Sequence, residues 1–287
     1  MLPSHPSYRG RLAPSPTGYL HLGHARTFWT AQQRARSANG TLILRNEDLD
    51  SSRAKSEFVT AMLEDLAWFG LAWQEGPDIG GPFAPYSQRD RQELYLQAFL
   101  QLQASGHIYP CHCSRKDIQR SLSAPHAADD EPIYPGTCRP VSSTAVIRTS
   151  SDFPARSCNW RFRVPNGDAI TFIDGQFGPQ TFSPGKDFGD FVVWRQDGFP
   201  SYQLSVVVDD AAMRITEVVR GADLLLSTAR QILLYQALGL PRPDFYHCQL
   251  MTDETGVRLA KRHASLGLRT LRAAGAKPEM LRESWLR

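Results

Sequence analysis

Apolar and polar positions divide the chain into short apolar runs and longer helical stretches. Residues 8–13 read as a short strand that enters the turn-rich Pro14-Ser15-Pro16-Thr17-Gly18. Residues 20–38 have helical character and stop at Asn39-Gly40, and residues 41–44 form an apolar run of strand type. Strand, helix and strand in this order make a βαβ unit, with parallel strands and a right-handed crossover. Ligands of such sheets bind beyond the carboxyl ends of the strands, so residues 14–24 and Glu47 are expected at one site.

Further helical stretches cover residues 52–69 and 88–104 and flank a Gly/Pro-rich loop at 76–85. Periodicity then fades over residues 111–158, a segment rich in Pro, Ser and Ala that reads as an insertion. Two hairpins are predicted next. One turns at Val164-Pro165-Asn166-Gly167 between runs 160–162 and 170–172, the other at Asp197-Gly198 between runs 191–193 and 202–208. A strand at 215–219 and a helix at 224–238, closed by Gly239, restore the βα rhythm. The expected fold is therefore α/β, a doubly wound, Rossmann-like parallel sheet split by an insertion. Its expected parts are residues 1–108, the insertion 109–195, the second half 196–250, and a loop with C-terminal helices at 251–287.

With 287 residues, 41% of them hydrophobic, the chain can bury a core as one large domain or a domain with an insertion. No stretch approaches the roughly 18 apolar residues of a membrane helix, and the first residues lack an apolar signal segment. A soluble cytoplasmic protein without a membrane partner is expected. A net charge of +3 is too mild to argue for nucleic acid by itself. Only five of the 32 basic residues are lysines, so Lys261 is one of few. The five cysteines are odd in number, and three fall between Cys111 and Cys138. That is a poor disulfide framework and suits a metal cluster in a reducing compartment.

His21 and His24 are three residues apart and share one side of the first helical turns. A helix N-terminus offers unpaired N–H groups and partial positive charge to an anion, and Gly23 leaves room for a flat base against the backbone. Alone, this pair is better explained as two incidental histidines on a solvent-facing helix. Near the other end, the turn Asp253-Glu254-Thr255-Gly256 precedes the basic stretch Arg258-Leu259-Ala260-Lys261-Arg262. A lone basic loop is usually just solvated.

Taken together, the two segments resemble the paired signatures of class I aminoacyl-tRNA synthetases, HIGH at His21-Leu22-Gly23-His24 and KMSKS at Arg258–Arg262. Arg11-Leu12-Ala13-Pro14-Ser15, Arg45-Asn46-Glu47-Asp48 and Val206-Val207-Val208-Asp209-Asp210 are similar to the glutamyl type. The resemblance implies attack of a glutamate carboxylate on the α-phosphate of ATP, with magnesium accompanying the nucleotide, to give an adenylate and pyrophosphate. Such chemistry needs fixed donors that hold two anions together rather than a nucleophilic side chain. By resemblance His21, His24 and Lys261 are catalytic. Pro14, Thr17, Gly18 and Gly23 join them around ATP, and Arg11, Leu12, Ala13, Pro14, Ser15, Glu47, Tyr202 and Arg220 line the glutamate pocket. Glu47 can pair with the α-ammonium, while Arg11, Arg220 and the Tyr202 hydroxyl can take the side-chain carboxylate. Arg258 and Ala260 depart from the usual lysine and serine, which bears on closure of that loop.

Cys111, Cys113 and Cys138 supply three thiolates, and zinc normally takes four ligands. The residues themselves leave the fourth open among Tyr134, His112 and His126, or leave the cysteines unligated; the resemblance implies Tyr134 and a structural zinc. Cys158 and Cys248 read as packing residues. Only 25 residues follow Arg262, too few for a further domain. With Arg220-Gly221-Ala222-Asp223, this is similar to the glutamyl-Q tRNA(Asp) synthetases, truncated paralogues that attach glutamate to queuosine at the wobble position of tRNA(Asp). A monomer is expected. Two other functions fit the residues: a compact glutamate-activating ligase charging another acceptor such as a tRNA 3′ end, and a non-catalytic, zinc-stabilised RNA-binding module.

Overall fold

The computed structural model describes residues 7–114, 133–141, 158–251, 267–283 and 285. Strand β1 (Arg9–Leu12), helix α1 (Leu22–Ser37) and strand β2 (Thr41–Leu44) form the expected βαβ unit, with β1 and β2 parallel from Arg9 opposite Thr41 to Leu12 opposite Leu44. The turn between α1 and β2 works because Asn39 accepts a left-handed backbone (φ 49°). Gly40 is needed there for space, since a Cβ would lie 2.5 Å from the Tyr8 carbonyl oxygen.

Helices α2 (Ser56–Trp68) and α3 (Gln92–Ala104) follow, the latter entered through a 3₁₀ turn at Gln88–Arg91. A three-stranded antiparallel sheet comes next, built from β3 (Ile108–Cys111), β4 (Asn159–Phe162) and, after the hairpin below, β7 (Val192–Trp194), in the order β3-β4-β7. Strands β5 (Ile170–Asp174) and β6 (Gly178–Phe182) pair antiparallel. Beyond β7 lie α4 (Tyr202–Ala212), β8 (Glu217–Gly221), α5 (Leu225–Leu238) and β9 (Asp244–Cys248), and the chain ends with α6 (Leu268–Ala273) and α7 (Pro278–Glu283). A left-handed Gly239 (φ 64°) closes α5, as the sequence predicts.

The second sheet has the order β6-β5-β9-β8, with β8 and β9 parallel from Glu217 opposite Asp244 to Gly221 opposite Cys248. It abuts β1: the Arg9 amide donates to Thr216 Oγ1 at 2.8 Å, and the Thr216 amide donates to the Arg9 carbonyl at 2.9 Å. The carboxyl ends of β1, β2, β8 and β9 thus meet in one place. The expected parallel sheet is only part of the fold: β3-β4-β7 is antiparallel throughout, and β6 runs antiparallel to β5.

Both expected hairpins are corrected. Residues 160–162 and 170–172 belong to different sheets: β4 pairs with β3 and β7, whereas β5 pairs with β6 and, at Asp174 opposite Phe245, with β9. The hairpin that does form turns at 174–178, where Asp174 Oδ1 accepts from the amides of Gln176 and Phe177 at 3.0 and 2.9 Å. Its pairing to β9 crosses the expected boundary at residue 195. The second turn exists, with Gly198 at φ 89°, but the chain returns only to an isolated bridge from Trp194 to Pro200 and then enters α4. Residues 204–210 are buried on every side of that helix, so no polar face breaks the β-branched run Val206-Val207-Val208 into a helical period. Packing overrides local propensity there.

A large core gathers around Phe99, whose ring meets Trp160 and Trp194 at 5.1 and 5.0 Å. A second core lies under α1 and α2 and includes Leu12, Phe28, Leu44 and Phe69.

Candidate active site

One cleft of about 920 Å³ opens at the shared strand ends. Its lining includes Arg11, Ala13, Pro14, Ser15, Thr17, Gly18, His21, Gly23, His24, Glu47, Tyr202 and Arg220. Leu12, expected in the glutamate pocket, does not line it. Its side chain is fully buried in the second core because successive strand residues alternate faces; only its carbonyl acts nearby, accepting the Arg45 amide at 2.8 Å. Lys261 lies outside the described residues. Met251 and Gly267, which flank residues 252–266, both line the cleft, and Gly267 bridges to His21.

The histidines cap their own helix. His21 is the N-cap of α1, and its Nδ1 accepts the Gly23 amide at 3.1 Å, while His24 Nδ1 accepts the His21 amide at 3.3 Å. This is a capping box with imidazoles in place of the usual hydroxyl and carboxylate. The rings stack with centroids 3.7 Å apart. With each Nδ1 accepting, each neutral ring carries its proton on Nε2, a donor suited to an anion. Gly23 has a local reason as well: a Cβ there would lie 3.0 Å from the His21 ring and disturb the cap.

Around Arg45, across the cleft from the histidines, side-chain charge does the organising. Arg45, fully buried, pairs with Asp210 at 2.6 Å and Glu47 at 2.9 Å. Burial alone would lower its pKa, but Asp210, Glu47 and Asp209 together hold it well above the ordinary value. Burial raises Glu47 against the pull of Arg45. Asp209 in turn accepts from Arg91 at 2.6 Å, Gln88 at 2.8 Å and Tyr95 at 2.8 Å, which locks α4 to the start of α3. Arg11 donates to the Val219 carbonyl at 2.8 Å and lies 3.5 Å from Asp210.

Arg220 differs from these arginines. It is 5% exposed, and its partners are His247, Gln231, Thr228, the Leu224 carbonyl and, at 3.4 Å, the Tyr202 hydroxyl, all neutral. Among the described residues its charge has no carboxylate in direct contact. Such a buried guanidinium lacks a counter-charge, which an anion in the cleft would supply. Asp174, Thr228, Gln231 and His247 were not among the residues singled out from sequence, because each sits in an ordinary strand or helix. Only Asp209-Asp210, adjacent carboxylates ending an apolar run, carry a local signal.

Away from the cleft, the Cys111, Cys113 and Cys138 sulfurs lie within 4.8 Å of one another. The Tyr134 hydroxyl is 3.4 and 3.6 Å from the Cys111 and Cys113 sulfurs and accepts the Cys138 amide at 2.8 Å. Three thiols and one phenol oxygen around a common point fit a four-coordinate zinc. Arg161 donates to Cys111 Sγ at 3.3 Å and lies 3.9 Å over the Tyr134 ring, a positive charge suited to thiolates. His112 is exposed and outside this group, and His126 lies outside the described residues. Cys158 and Cys248 are buried in the two cores, as packing residues.

An α/β fold whose first crossover helix begins on a histidine pair, opening onto the same cleft as a charge-organised pocket, is that of a catalytic domain of the class I synthetase type. The chain belongs to that family: residues 7–287 match the catalytic domain of the tRNA synthetases class I (E and Q), which are ligases. It is 51% identical over 271 residues to the glutamyl-Q tRNA(Asp) synthetase of Symbiobacterium thermophilum, covering 94% of this chain and 83% of that protein. It is 44% identical to glutamate–tRNA ligase 2 of Nitrosococcus oceani, covering 94% of this chain but 57% of that protein. The crystal structure of a glutamate tRNA ligase from Elizabethkingia meningosepticum in complex with its amino acid superposes with a TM-score of 0.76 at 30% identity, covering 90% of this chain and 52% of that one. No helix among the described residues is long and apolar enough to cross a membrane.

Proposed function

We propose that the protein activates glutamate with magnesium-bound ATP and transfers it to queuosine at the wobble position of tRNA(Asp). The observation that carries glutamate is Arg220, a buried cation whose partners are all neutral, opening onto the same cleft as the α1 N-terminus. A side-chain carboxylate supplies the missing anion there, with Tyr202 and Arg11 beside it, while Glu47 takes the α-ammonium. Glutamine would leave a guanidinium unpaired and be rejected strongly.

In the reaction the α-carboxylate oxygen attacks the α-phosphorus, the bond to the bridging oxygen breaks, and pyrophosphate leaves. His21 and His24 donate through Nε2, together with the α1 amides and Lys261, to the growing negative charge on phosphate oxygens. The position of Met251 and Gly267 on the cleft supports the role of Lys261. Cys111, Cys113, Tyr134 and Cys138 would hold a structural zinc, fixing the insertion as an acceptor-facing unit. An insertion within residues 109–195, less the β5–β6 hairpin that joins β9, and a monomeric state belong to the same reading.

Queuosine rests on relatives at 51% and 48% identity named glutamyl-Q tRNA(Asp) synthetase. Relatives at 41–44% named glutamate–tRNA ligase favour a second reading, charging of a tRNA 3′ end. Incubation with ATP, labelled glutamate and purified tRNAs, with and without queuosine, separates them. Label on the modified base of tRNA(Asp) is expected; label on a 3′ terminal adenosine would replace the first reading by the second. Absence of glutamate-dependent ATP–pyrophosphate exchange, with and without tRNA, would leave a binding module.

A further inference from the structure

Arg220 and His247 are register partners on the parallel strands β8 and β9. His247 is fully buried, and its Nε2 accepts from Arg220 Nε at 3.1 Å. Its Nδ1 lies 2.6 Å from Asp174 Oδ2, and its backbone amide donates to the same carboxylate at 3.1 Å. The tautomer follows from these contacts. Nitrogen facing a carboxylate must carry the proton, and nitrogen facing a guanidinium N–H must offer its lone pair. Burial, then the charge of Arg220, push the imidazole down from 6.5 to about 4 against the pull of Asp174, so the ring is neutral. Thr228 Oγ1 at 2.7 Å and Gln231 Oε1 at 2.8 Å hold the terminal nitrogens. The two remaining contacts of Arg220, to Tyr202 and the Leu224 carbonyl, are long at 3.4 and 3.5 Å.

We propose that Asp174 and His247 are positioning residues for substrate recognition: Asp174 fixes the His247 tautomer, and His247 fixes the Arg220 guanidinium without neutralising it. A carboxylate directly on Arg220 would satisfy the cation and compete with an anionic substrate side chain. The interposed neutral imidazole supplies geometry and leaves the charge for the ligand. Asp174 also caps the β5–β6 hairpin through Oδ1, so the β5–β6 hairpin and the pocket share one residue. The inference rests on the reading of Arg220 as the group that takes the glutamate side chain.

The test is glutamate-dependent ATP–pyrophosphate exchange on the full chain, with tRNA present, measuring KM for glutamate and for ATP separately. His247→Leu is expected to raise KM for glutamate about tenfold or more and to leave KM for ATP within about twofold, as loss of a hydrogen bond to a charged group implies. His247→Gln keeps an acceptor near Arg220 Nε and is expected to recover most of the loss. Asp174→Asn is the sharper variant. Asn keeps the turn acceptor but presents N–H to His247 Nδ1, which forces the proton to Nε2 and sets N–H against N–H. It is expected to raise KM for glutamate as much as His247→Leu, with ¹⁵N NMR of His247 showing the switched tautomer. Arg220→Leu is the reference. If it leaves KM for glutamate unchanged, the underlying reading fails. If it raises KM while Asp174→Asn and His247→Leu do not, or if the two KM values rise together, only the positioning role is overturned.

Discussion

The two sides of the cleft are organised by different physics. On the side proposed for the nucleotide the groups are held by main-chain hydrogen bonds, since His21 and His24 are fixed by the amides of their own helix and Gly267 bridges to His21. On the side proposed for the amino acid the fixing is done by buried charges, with Arg45, Glu47, Asp209 and Asp210 interlocked and Arg220 held among neutral acceptors. A helix terminus suits any phosphate and asks little of side chains. Choosing one small dicarboxylate needs fixed charges in a dry place, and their desolvation must be offset by partners contributed from the segment after β2 and from α3, α4, β8, α5 and β9.

Arg45→Met should show the largest effect on this contrast, because it leaves Asp210, Glu47 and Asp209 buried without their shared cation. A loss of about 3–5 kcal/mol in unfolding free energy is expected in urea titration; a loss under about 1 kcal/mol would mean that the network does not organise that side. On the opposite side, Lys261→Ala is expected to lower exchange roughly a hundredfold to a thousandfold with unfolding unchanged. Undiminished exchange in the folded variant would remove Lys261 from the machinery. A pH series reaches the buried histidine. The folded state holds His247 near 4, below its ordinary 6.5, so the unfolded chain binds more protons between those values. Stability is therefore full above about pH 6.5 and falls by roughly 3 kcal/mol as pH drops toward 4; His247→Gln should flatten that slope, and an unchanged slope would assign it to other groups. The smallest effect belongs to Arg53, which pairs with Asp50 at 2.6 Å while 68% exposed. Arg53→Ala should change unfolding by no more than about 0.5 kcal/mol, and a larger change would blur the division between backbone-held and charge-held sides.

The nucleotide side was the more legible one in sequence, for the same reason. A strand, a Pro/Gly turn and a histidine-led helix are local features, and they suffice to put Pro14 to His24 beside Glu47. The βα return at β8 and α5 was legible through Gly239. Tyr202 was misread as the start of a strand because the helix it begins is buried on all sides, which erases the polar face that marks a helix. Residues that act through long-range contacts left no local mark. Asp174 falls just past the run 170–172 and His247 beyond the last expected helix, so nothing local marks either, and 73 residues of chain separate the two partners. The two hairpins failed for a related reason: turn chemistry was present at Gly167 and Gly198, but turns do not say which strand the chain pairs with next.

Because α1 closes its first turn with the same imidazoles proposed to act on the nucleotide, these side chains are fasteners as well as proposed tools. An alanine at position 21 removes a cap as well as a donor, so lost turnover from that change mixes frayed helix with missing chemistry. Asparagine at position 21 offers the same amide a side-chain oxygen and lacks the Nε2 proton, so comparing the two variants separates the fastener from the tool.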